Sequence, residues 1–285
     1  LKNIEKVYTS RNGFAAINSD NELFCWGNNY INLVHSDHGT YAPNFRNANN
    51  ITNWQTKLSN MAEFYSNHYT NVAIDRNGHI LVWGNSMQGT YPAELKVEFN
   101  TRTFVNVIST ERCHAAIDTN GGVLIWGTNY AYNNWKDISG QISSGVTRIF
   151  ANNYGFFCLK DDNTAIGCIG HYYGYEGATD FSNNDIRTHS SQQINLPPSE
   201  YIAGRYKLRN IKDIFSSTYG WAAIDISDNV ICWGRRINYH ITDIDPNKIH
   251  GGDLSGNEED GNRPIAIFSN GPAWACLKED ETVVT

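Results

Sequence analysis

Short apolar runs alternate with short polar turns along this chain, and one two-part pattern returns six times. One part reads GFAAINSDNELFCWG (13–27) and comes back as TNVAIDRNGHILVWG (70–84), CHAAIDTNGGVLIWG (113–127) and GWAAIDISDNVICWG (220–234). Two divergent copies, GFFCLKDDNTAIGCIG (155–170) and AWACLKEDETVVT (273–285), complete the set. Each is preceded by a second run: KVYTS (6–10), EFYSN (63–67), NVIST (106–110), RIFAN (148–152), DIFSS (213–217) and AIFSN (266–270). An apolar run, a polar turn and a second apolar run predict an antiparallel hairpin, and the preceding run predicts one strand more. In the second repeat, Asn77-Gly78 reads as a two-residue type I′ turn. That turn sets Asp75 opposite Ile80, Ala73 opposite Val82 and Val72 opposite Trp83.

A period repeated at this length predicts a propeller, each repeat a blade whose fourth strand comes from the spacer. The expected fold is all-β, a six-bladed β-propeller in one domain, 1–285, or a seven-bladed one completed by sequence outside the chain. Repeat units fall at about 1–62, 63–105, 106–147, 148–212, 213–265 and 266–285. Successive Trp-Gly positions lie 57, 43, 43 and 64 residues apart, with Ile169-Gly170 standing in the fourth repeat. The length variation falls in the spacers. The longest spacer, 171–207, is expected to project as a loop that adds to the partner surface, because Tyr172, Tyr173, Tyr175, Phe181 and Tyr201 give it more aromatic residues than a solvated loop needs, with a segment folded back over a blade edge as the alternative. The opening LKNIEKVY resembles LRNIKDIF (208–215), so the chain starts in phase with the repeat. It stops at Thr285 in mid-pattern and opens on Leu1 without a leader, which reads as a processed or trimmed piece, with either a weak sixth blade or downstream sequence that completes a sixth or seventh one. The compartment is not legible from the sequence; a secreted, surface or effector setting is the favoured reading.

The repeat resembles that of the regulator of chromosome condensation family in its small-small-aliphatic-Asp stretch, its Gly/Asn turn and its Trp-Gly end, in the style of bacterial members. The resemblance implies a propeller, and roles such as guanine-nucleotide exchange on a small GTPase or enzyme inhibition. Exchange-factor relatives carry a His four positions before the aliphatic residue of the second strand. Here those positions are Gly13, Thr70, Cys113, Gly155, Gly220 and Ala273. The Gly-Gln-Leu-Gly stretch that follows Trp-Gly in the family is replaced by Asn28-Asn29-Tyr30, Asn85-Ser86-Met87 and Thr128-Asn129-Tyr130. Both departures weigh against exchange activity.

Repeat position gives most recurring residues a structural role. Trp26, Trp83, Trp126 and Trp233 read as packing between blades. Ala16, Ala73, Ala116, Cys158, Ala223 and Cys276 fill a crowded inner position. Asp75, Asp118 and Asp225 flank turns, where a carboxylate serves the backbone locally. Five of the six cysteines recur at two repeat positions, Cys25, Cys168 and Cys232 at one and Cys158 and Cys276 at the other, so most lie in separate repeats, which predicts six free thiols; only Cys158 and Cys168 come within reach of each other in the expected pairing, which would leave four.

Charge and motif searches narrow the function. With 22 basic against 29 acidic residues and no long Lys/Arg run, the footprint for a nucleic-acid backbone is missing. No apolar run approaches the length of a membrane-spanning helix. There is no phosphate loop with Lys-Ser/Thr, no Gly-x-Ser-x-Gly elbow and no His-Glu-x-x-His helix, so no catalytic residue is assigned and the chain is read as a non-enzyme. His35 and His38 lack further ligands, and Asp243, Asp245 and Asn247 are followed by Lys248 and Leu254 where a calcium loop needs Gly and Glu. No metal and no cofactor is expected.

In an up-and-down meander the first-to-second and third-to-fourth connections emerge on one side. Arg11, Asn12, His68, Tyr69, Arg112, His114, Tyr154 and Tyr219 come from the first set. Tyr30, Tyr130, Tyr132, Tyr172, Tyr173, Tyr175, Arg235 and Arg236 come from the second. Tyr and Arg supply large contact area with a polar handle. The sequence therefore points to a module that binds a macromolecular partner, a protein before a glycan, with nucleotide exchange on a GTPase as an alternative.

Overall fold

The structure, a computed structural model, describes residues 1–10, 13–27, 57–84, 95–127, 135–136, 138–153, 155–169, 200–202, 205–218, 220–234, 262–270 and 274–285. They build six small antiparallel sheets, divided between two compact units, Leu1–Ser139 and Gly140–Thr285. In the first unit the first sheet runs β1 (Ile4–Ser10), β2 (Gly13–Asn18), β3 (Leu23–Gly27) and β4 (Lys57–Leu58). The second holds β5 (Met61–Ser66), β6 (Thr70–Asp75) and β7 (Ile80–Gly84), followed by helix α1 (Lys96–Thr101). The third holds β8 (Phe104–Ser109), β9 (His114–Asp118) and β10 (Val123–Trp126).

The second unit repeats the theme. Its first sheet is β11 (Val146–Ala151), β12 (Gly155–Lys160) and β13 (Ala165–Ile169), extended by β15 (Arg205–Leu208) and then β14 (Glu200–Ile202). The fifth sheet is β16 (Ile211–Ser216), β17 (Gly220–Asp225) and β18 (Val230–Gly234); the sixth is β19 (Pro264–Ser269), β20 (Trp274–Lys278) and β21 (Val283–Val284). The end of the 171–207 spacer is thus strand where a loop was expected, because β15 pairs with the otherwise open edge of β13. The rest of that spacer lies outside the described residues.

All six hairpins turn the same way, and not as Asn77-Gly78 suggested. Asp75 N–H donates to His79 O and Gly78 N–H to Asp75 O, both at 3.0 Å. Only Gly78, at φ +82°, has the left-handed conformation, whereas a type I′ turn needs it at Asn77 too. The loop is therefore three residues long with a bulge at its end, and every pairing moves by one: Ala73 faces Leu81, Val72 faces Val82 and Asn71 faces Trp83. The same shift separates the two cysteines, since Cys158 faces Ile166 and Cys168 faces Phe156. Cys25, Cys113, Cys158 and Cys276 are buried free thiols. Burial pushes the Cys158 thiol up to about 12, so it packs as a small hydrophobe.

Asp serves the turn as its position implied. The Asp75 carboxylate accepts from the N–H groups of Asn77 and His79, Asp118 from Asn120 and Gly122, and Asp225 from Ser227 and Asn229. Where Lys160 and Lys278 take that place, Asp162 and Asp280 two residues on accept from Thr164 and Thr282 instead. The turn also joins neighbouring sheets. The carbonyls of its left-handed residues Asn21, Gly78 and Asn163 accept the N–H groups of Met61, Phe104 and Ile211, which open the next sheet, at 2.8–2.9 Å. Between the fifth and sixth sheets the opening residue is Pro264, which has no N–H. There Arg263 Nε approaches the Asp228 carboxylate at 3.4 Å.

Sheets pack face on face through a repeated half-and-half scheme. Phe64, Ala73, Leu81 and Trp83 of the second sheet close over Tyr8, Ala15, Ile17, Leu23 and Cys25 of the first. Trp126 and Val107 of the third sheet do the same over Val72, Ile74 and Val82 of the second, so Trp83 and Trp126 are inter-sheet packing residues as expected. After β7 and β10 the described residues place no fourth strand. The buried Leu95 and Phe99 at α1 fill the core beside β7, with the Phe99 ring edge-on to Trp126 at 4.9 Å, and the Trp135 indole N–H donates to Val123 O of β10 at 2.9 Å.

Candidate functional site

The connections leaving the first strands are built by the polar residue that ends each repeat's first run. Asn67 Oδ1 accepts the N–H groups of Tyr69 and Thr70, both at 2.9 Å; Thr110 Oγ1 accepts that of Cys113 at 3.0 Å; Asn152 Oδ1 accepts that of Gly155 at 3.0 Å. Each makes a side-chain-capped turn that holds the next residues in one conformation. The glycines of two Trp-Gly pairs, Gly84 and Gly127, then explain themselves. A Cβ on Gly84, at φ +131°, would sit 2.4 Å from Tyr69 O, and one on Gly127, at φ +141°, would sit 2.5 Å from Arg112 O. The third strand ends hard against the connection that carries Tyr69 or Arg112, and only glycine leaves room.

Two such connections meet in the first unit. His68 N–H donates to Glu111 O at 3.2 Å, and His68 Nδ1 lies 3.2 Å from Glu111 Oε1. The Arg112 guanidinium lies over the Tyr69 ring, 4.9 Å from its centroid, with its Nε 3.7 Å from the Glu111 carboxylate. His68, Tyr69, Glu111 and Arg112 are all half-buried, forming a low patch and not a set of free loop tips. Three of the expected partner-binding residues, His68, Tyr69 and Arg112, are therefore neighbours. Glu111 was missed, although its place between a capping Thr and an Arg was a signal in the sequence.

His114 is a correction. Expected in an exposed connection, it is the first residue of β9 and is fully buried beneath this patch. Its Nδ1 lies 2.8 Å from Ser109 Oγ, and its Nε2 lies 2.7 Å from Thr70 Oγ1 and 3.1 Å from Asn67 Nδ2. Asn67 must keep Oδ1 toward the backbone N–H groups it caps, so its NH₂ faces the ring and Nε2 is the acceptor. The proton sits on Nδ1 and is donated to Ser109. Burial pushes the His114 pKa down to about 3, so the ring is neutral and joins the second sheet to the third.

Arg11, Tyr30, Tyr130, Tyr132, Tyr154, Tyr172, Tyr173, Tyr175, Tyr219, Arg235 and Arg236 lie outside the described residues, as do His35, His38 and the 243–254 segment. Among the described residues, no three His, Cys, Asp or Glu side chains gather as a metal site would require, and no helix is long and apolar enough to cross a membrane.

No protein-family model matches this chain, and no curated protein matches its sequence. Solved structures do. Human WBSCR16 superposes with a TM-score of 0.51 at 13% identity, over 99% of this chain and 76% of that one. Prp20p from Saccharomyces cerevisiae, studied for its binding to Gsp1p and histones and elsewhere called yeast RCC1, gives 0.47 at 10% identity, over 98% and 70%. The CRINKLY WD40 ectodomain of the Arabidopsis thaliana receptor kinase ACR4 gives 0.42 at 12% identity, over 82% and 65%. At such identities the likeness is one of fold, and with six antiparallel repeat sheets the chain is a β-propeller protein.

Proposed function

We propose that this chain is a non-enzymatic interaction module that binds a protein partner through the connections after the first strands of its sheets, with Tyr69 and Arg112 at the centre. The observation that carries the reading is the Arg112 guanidinium held against the Tyr69 ring where two sheets meet. Both side chains are fixed before a partner arrives, so less conformational entropy is lost on binding. Arg and Tyr in that state are the residue types that dominate interface energetics. Arg11, Tyr154 and Tyr219 hold the same connection in other repeats. By sequence position Tyr30, Tyr130, Tyr132, Tyr172, Tyr173, Tyr175, Arg235 and Arg236 come after the third runs of their repeats, and they are proposed as part of the same surface. The buried histidine beneath Tyr69 supports the non-catalytic reading, because both its nitrogens are committed to structural partners.

The test is selection from a displayed library of protein domains, run beside a glycan array and nucleotide release from a panel of small GTPases. Protein binders lost by Tyr69→Ala and Arg112→Ala but kept by Arg76→Ala, at the turn end of the same sheet, are expected. Selective glycan binding, GTPase nucleotide release, or protein binding indifferent to Tyr69 and Arg112 overturns the reading.

A further inference from the structure

One position of the second strand, opposite the end of the third, is occupied by Asn71 facing Trp83, His114 facing Trp126, Phe156 facing Cys168 and Trp221 facing Trp233. His114, Phe156 and Trp221 are no more than 1% exposed. Trp221 meets the preceding sheet by packing alone, its ring edge-on to Phe157 at 4.9 Å. A junction between sheets can therefore close on an apolar ring. His114 closes the second and third sheets through three directed polar contacts instead, and a satisfied buried network fixes one arrangement where apolar packing tolerates several.

The places of those contacts decide what is fixed. Nε2 meets Asn67 and Thr70, the residues on either side of His68 and Tyr69. Nδ1 meets Ser109, and Ser109 and His114 itself stand on either side of the segment that holds Glu111 and Arg112. One ring thus ties the feet of both connections, and Tyr69 and Arg112, whose side chains stack, come one from each.

The ring holds this place only while neutral. Thr70 of β6, Ser109 of β8 and Trp126 of β10 turn toward it with Asn67, and none of them is charged. The titratable groups of the two connections are His68, Tyr69, Glu111, Arg112 and Cys113, and the Glu111 carboxylate already faces His68 Nδ1 and Arg112 Nε. Burial alone lowers the His114 pKa, so the ring takes a proton near its ordinary 6.5 only when the connections part.

We propose that His114 is the positioning residue of the Tyr69–Arg112 surface and its acid-sensitive latch: the neutral ring holds the two connections together, and the protonated ring lets them part. The surface rests on the reading above, and the latch rests on the hydrogen bonds. Amide hydrogen exchange followed by NMR from about pH 6 to about pH 4.5, expressed as protection so that the intrinsic rate cancels, reads the latch without a partner. Protection of the His68, Thr70 and Cys113 amides is expected to fall by about tenfold per pH unit, while the Asp118 and Gly121 amides, in the turn at the other end of the third sheet, keep theirs. His114→Gln, whose amide accepts at one atom and donates at the other without titrating, keeps the connections protected throughout. His114→Phe, the residue type that Phe156 shows to fit this position, keeps the turn protected and leaves the connections open at every pH. A protein binder that needs Tyr69 and Arg112 is expected to weaken with acid in step with the exchange, to be held in acid by His114→Gln and to be lost at neutral pH by His114→Phe. Exchange of this form without any binder that needs Tyr69 and Arg112 supports the latch and overturns the surface. Connections that stay protected to about pH 4.5, that open in step with the turn, or that His114→Phe leaves closed overturn the proposal, as does a binder indifferent to both His114 variants.

Discussion

The two ends of the second and third sheets are held together by different chemistry. At the turn end a backbone carbonyl meets a backbone N–H, Gly78 O with Phe104, and the same bond recurs between other sheets whatever their side chains. At the connection end the sheets are joined by His114, Asn67, Thr70 and Ser109 below and by His68, Glu111, Arg112 and Tyr69 above. None of these residue sets is repeated elsewhere in the described chain. The turn end can keep the spacing of a repeat protein while every surface residue changes. The connection end differs in each repeat, which is why the proposed partner surface is placed there.

Glycine substitutions break the comparison most sharply. At the connection end, Gly127→Ala puts a Cβ 2.5 Å from Arg112 O and 2.7 Å from Cys113 Cα, backbone atoms that cannot step aside. At the turn end, Gly78→Ala meets Thr103 Cγ2 at 2.5 Å, a side chain that can rotate, though Phe104 O lies 3.0 Å away. Urea unfolding is expected to show a loss of about 3 kcal/mol or more for Gly127→Ala and about 1–2 kcal/mol for Gly78→Ala. Equal losses would mean that the connection is not held against the third strand.

Acid should open the connection end before the turn end. The folded-state pKa of His114, about 3, lies below its ordinary 6.5, so the unfolded chain takes up the proton more readily. Its contribution is complete above pH 6.5 and is lost as pH falls from 6.5 toward 3, on the order of a few kcal/mol over the full interval. Protonation would also turn Nε2 into a donor facing the NH₂ of Asn67. Thermal unfolding followed from neutral pH downward is expected to fall less steeply in His114→Gln than in the unsubstituted chain. Parallel slopes would remove His114 as the cause.

What the sequence showed and hid follows the same division. The six strand triplets and the packing of Trp83 and Trp126 were legible because period-two alternation and repeat position report burial directly. Pairing was misjudged by one because Asn77-Gly78 suits two turn lengths, and the extra residue declares itself only through the hydrogen bonds of Asp75. Strand boundaries misplaced His114, since a polar residue beside a connection looks exposed when its partners, Thr70 and Asn67, sit 44 and 47 residues away. Val105 and Ile265, 55% and 51% exposed, were hidden for a related reason. The first strand of every sheet carries a β-bulge after its opening residue, and these two are the extra residues.

A smaller effect distinguishes turns that use a carboxylate for its charge from those that use only its oxygen. Asn18 stands at the position of Asp75 and accepts from the N–H groups of Asp20 and Glu22, so an amide suffices there. Asp118 also binds Arg102 Nε at 2.7 Å and is buried. Asp75 adds only an exposed contact, its Oδ2 3.2 Å from His79 Nδ1, so Asp75→Asn is expected to change stability by less than about 0.5 kcal/mol, and Asp118→Asn to cost about 1–2 kcal/mol, by removing a charge-assisted hydrogen bond. Matching costs in chemical denaturation would show that Arg102 adds nothing.

The smallest expected effect is a gain, and it concerns the one turn whose left-handed residue is neither Gly, Asn nor Asp. Glu281 adopts φ 66° in the sixth hairpin, where the other turns place Asn21, Gly78, Gly121, Asn163 and Asp228. A side chain with a Cβ crowds its own carbonyl in that region, and Glu lacks the short polar group that lets Asn and Asp tolerate it. The turn hydrogen bonds, Glu281 N–H to Lys278 O and Lys278 N–H to Thr282 O, are both 3.0 Å and use only backbone atoms of Glu281. The side chain is exposed, so its removal vacates no packing. Glu281→Gly relieves the conformational strain but adds freedom to the unfolded chain, leaving a net gain of about 0.5 kcal/mol, and Glu281→Asn keeps more of it. Differential scanning calorimetry should show the midpoint rising slightly for both, Asn at least as much as Gly. A fall in both would mean that the Glu281 side chain does something at this turn beyond occupying it.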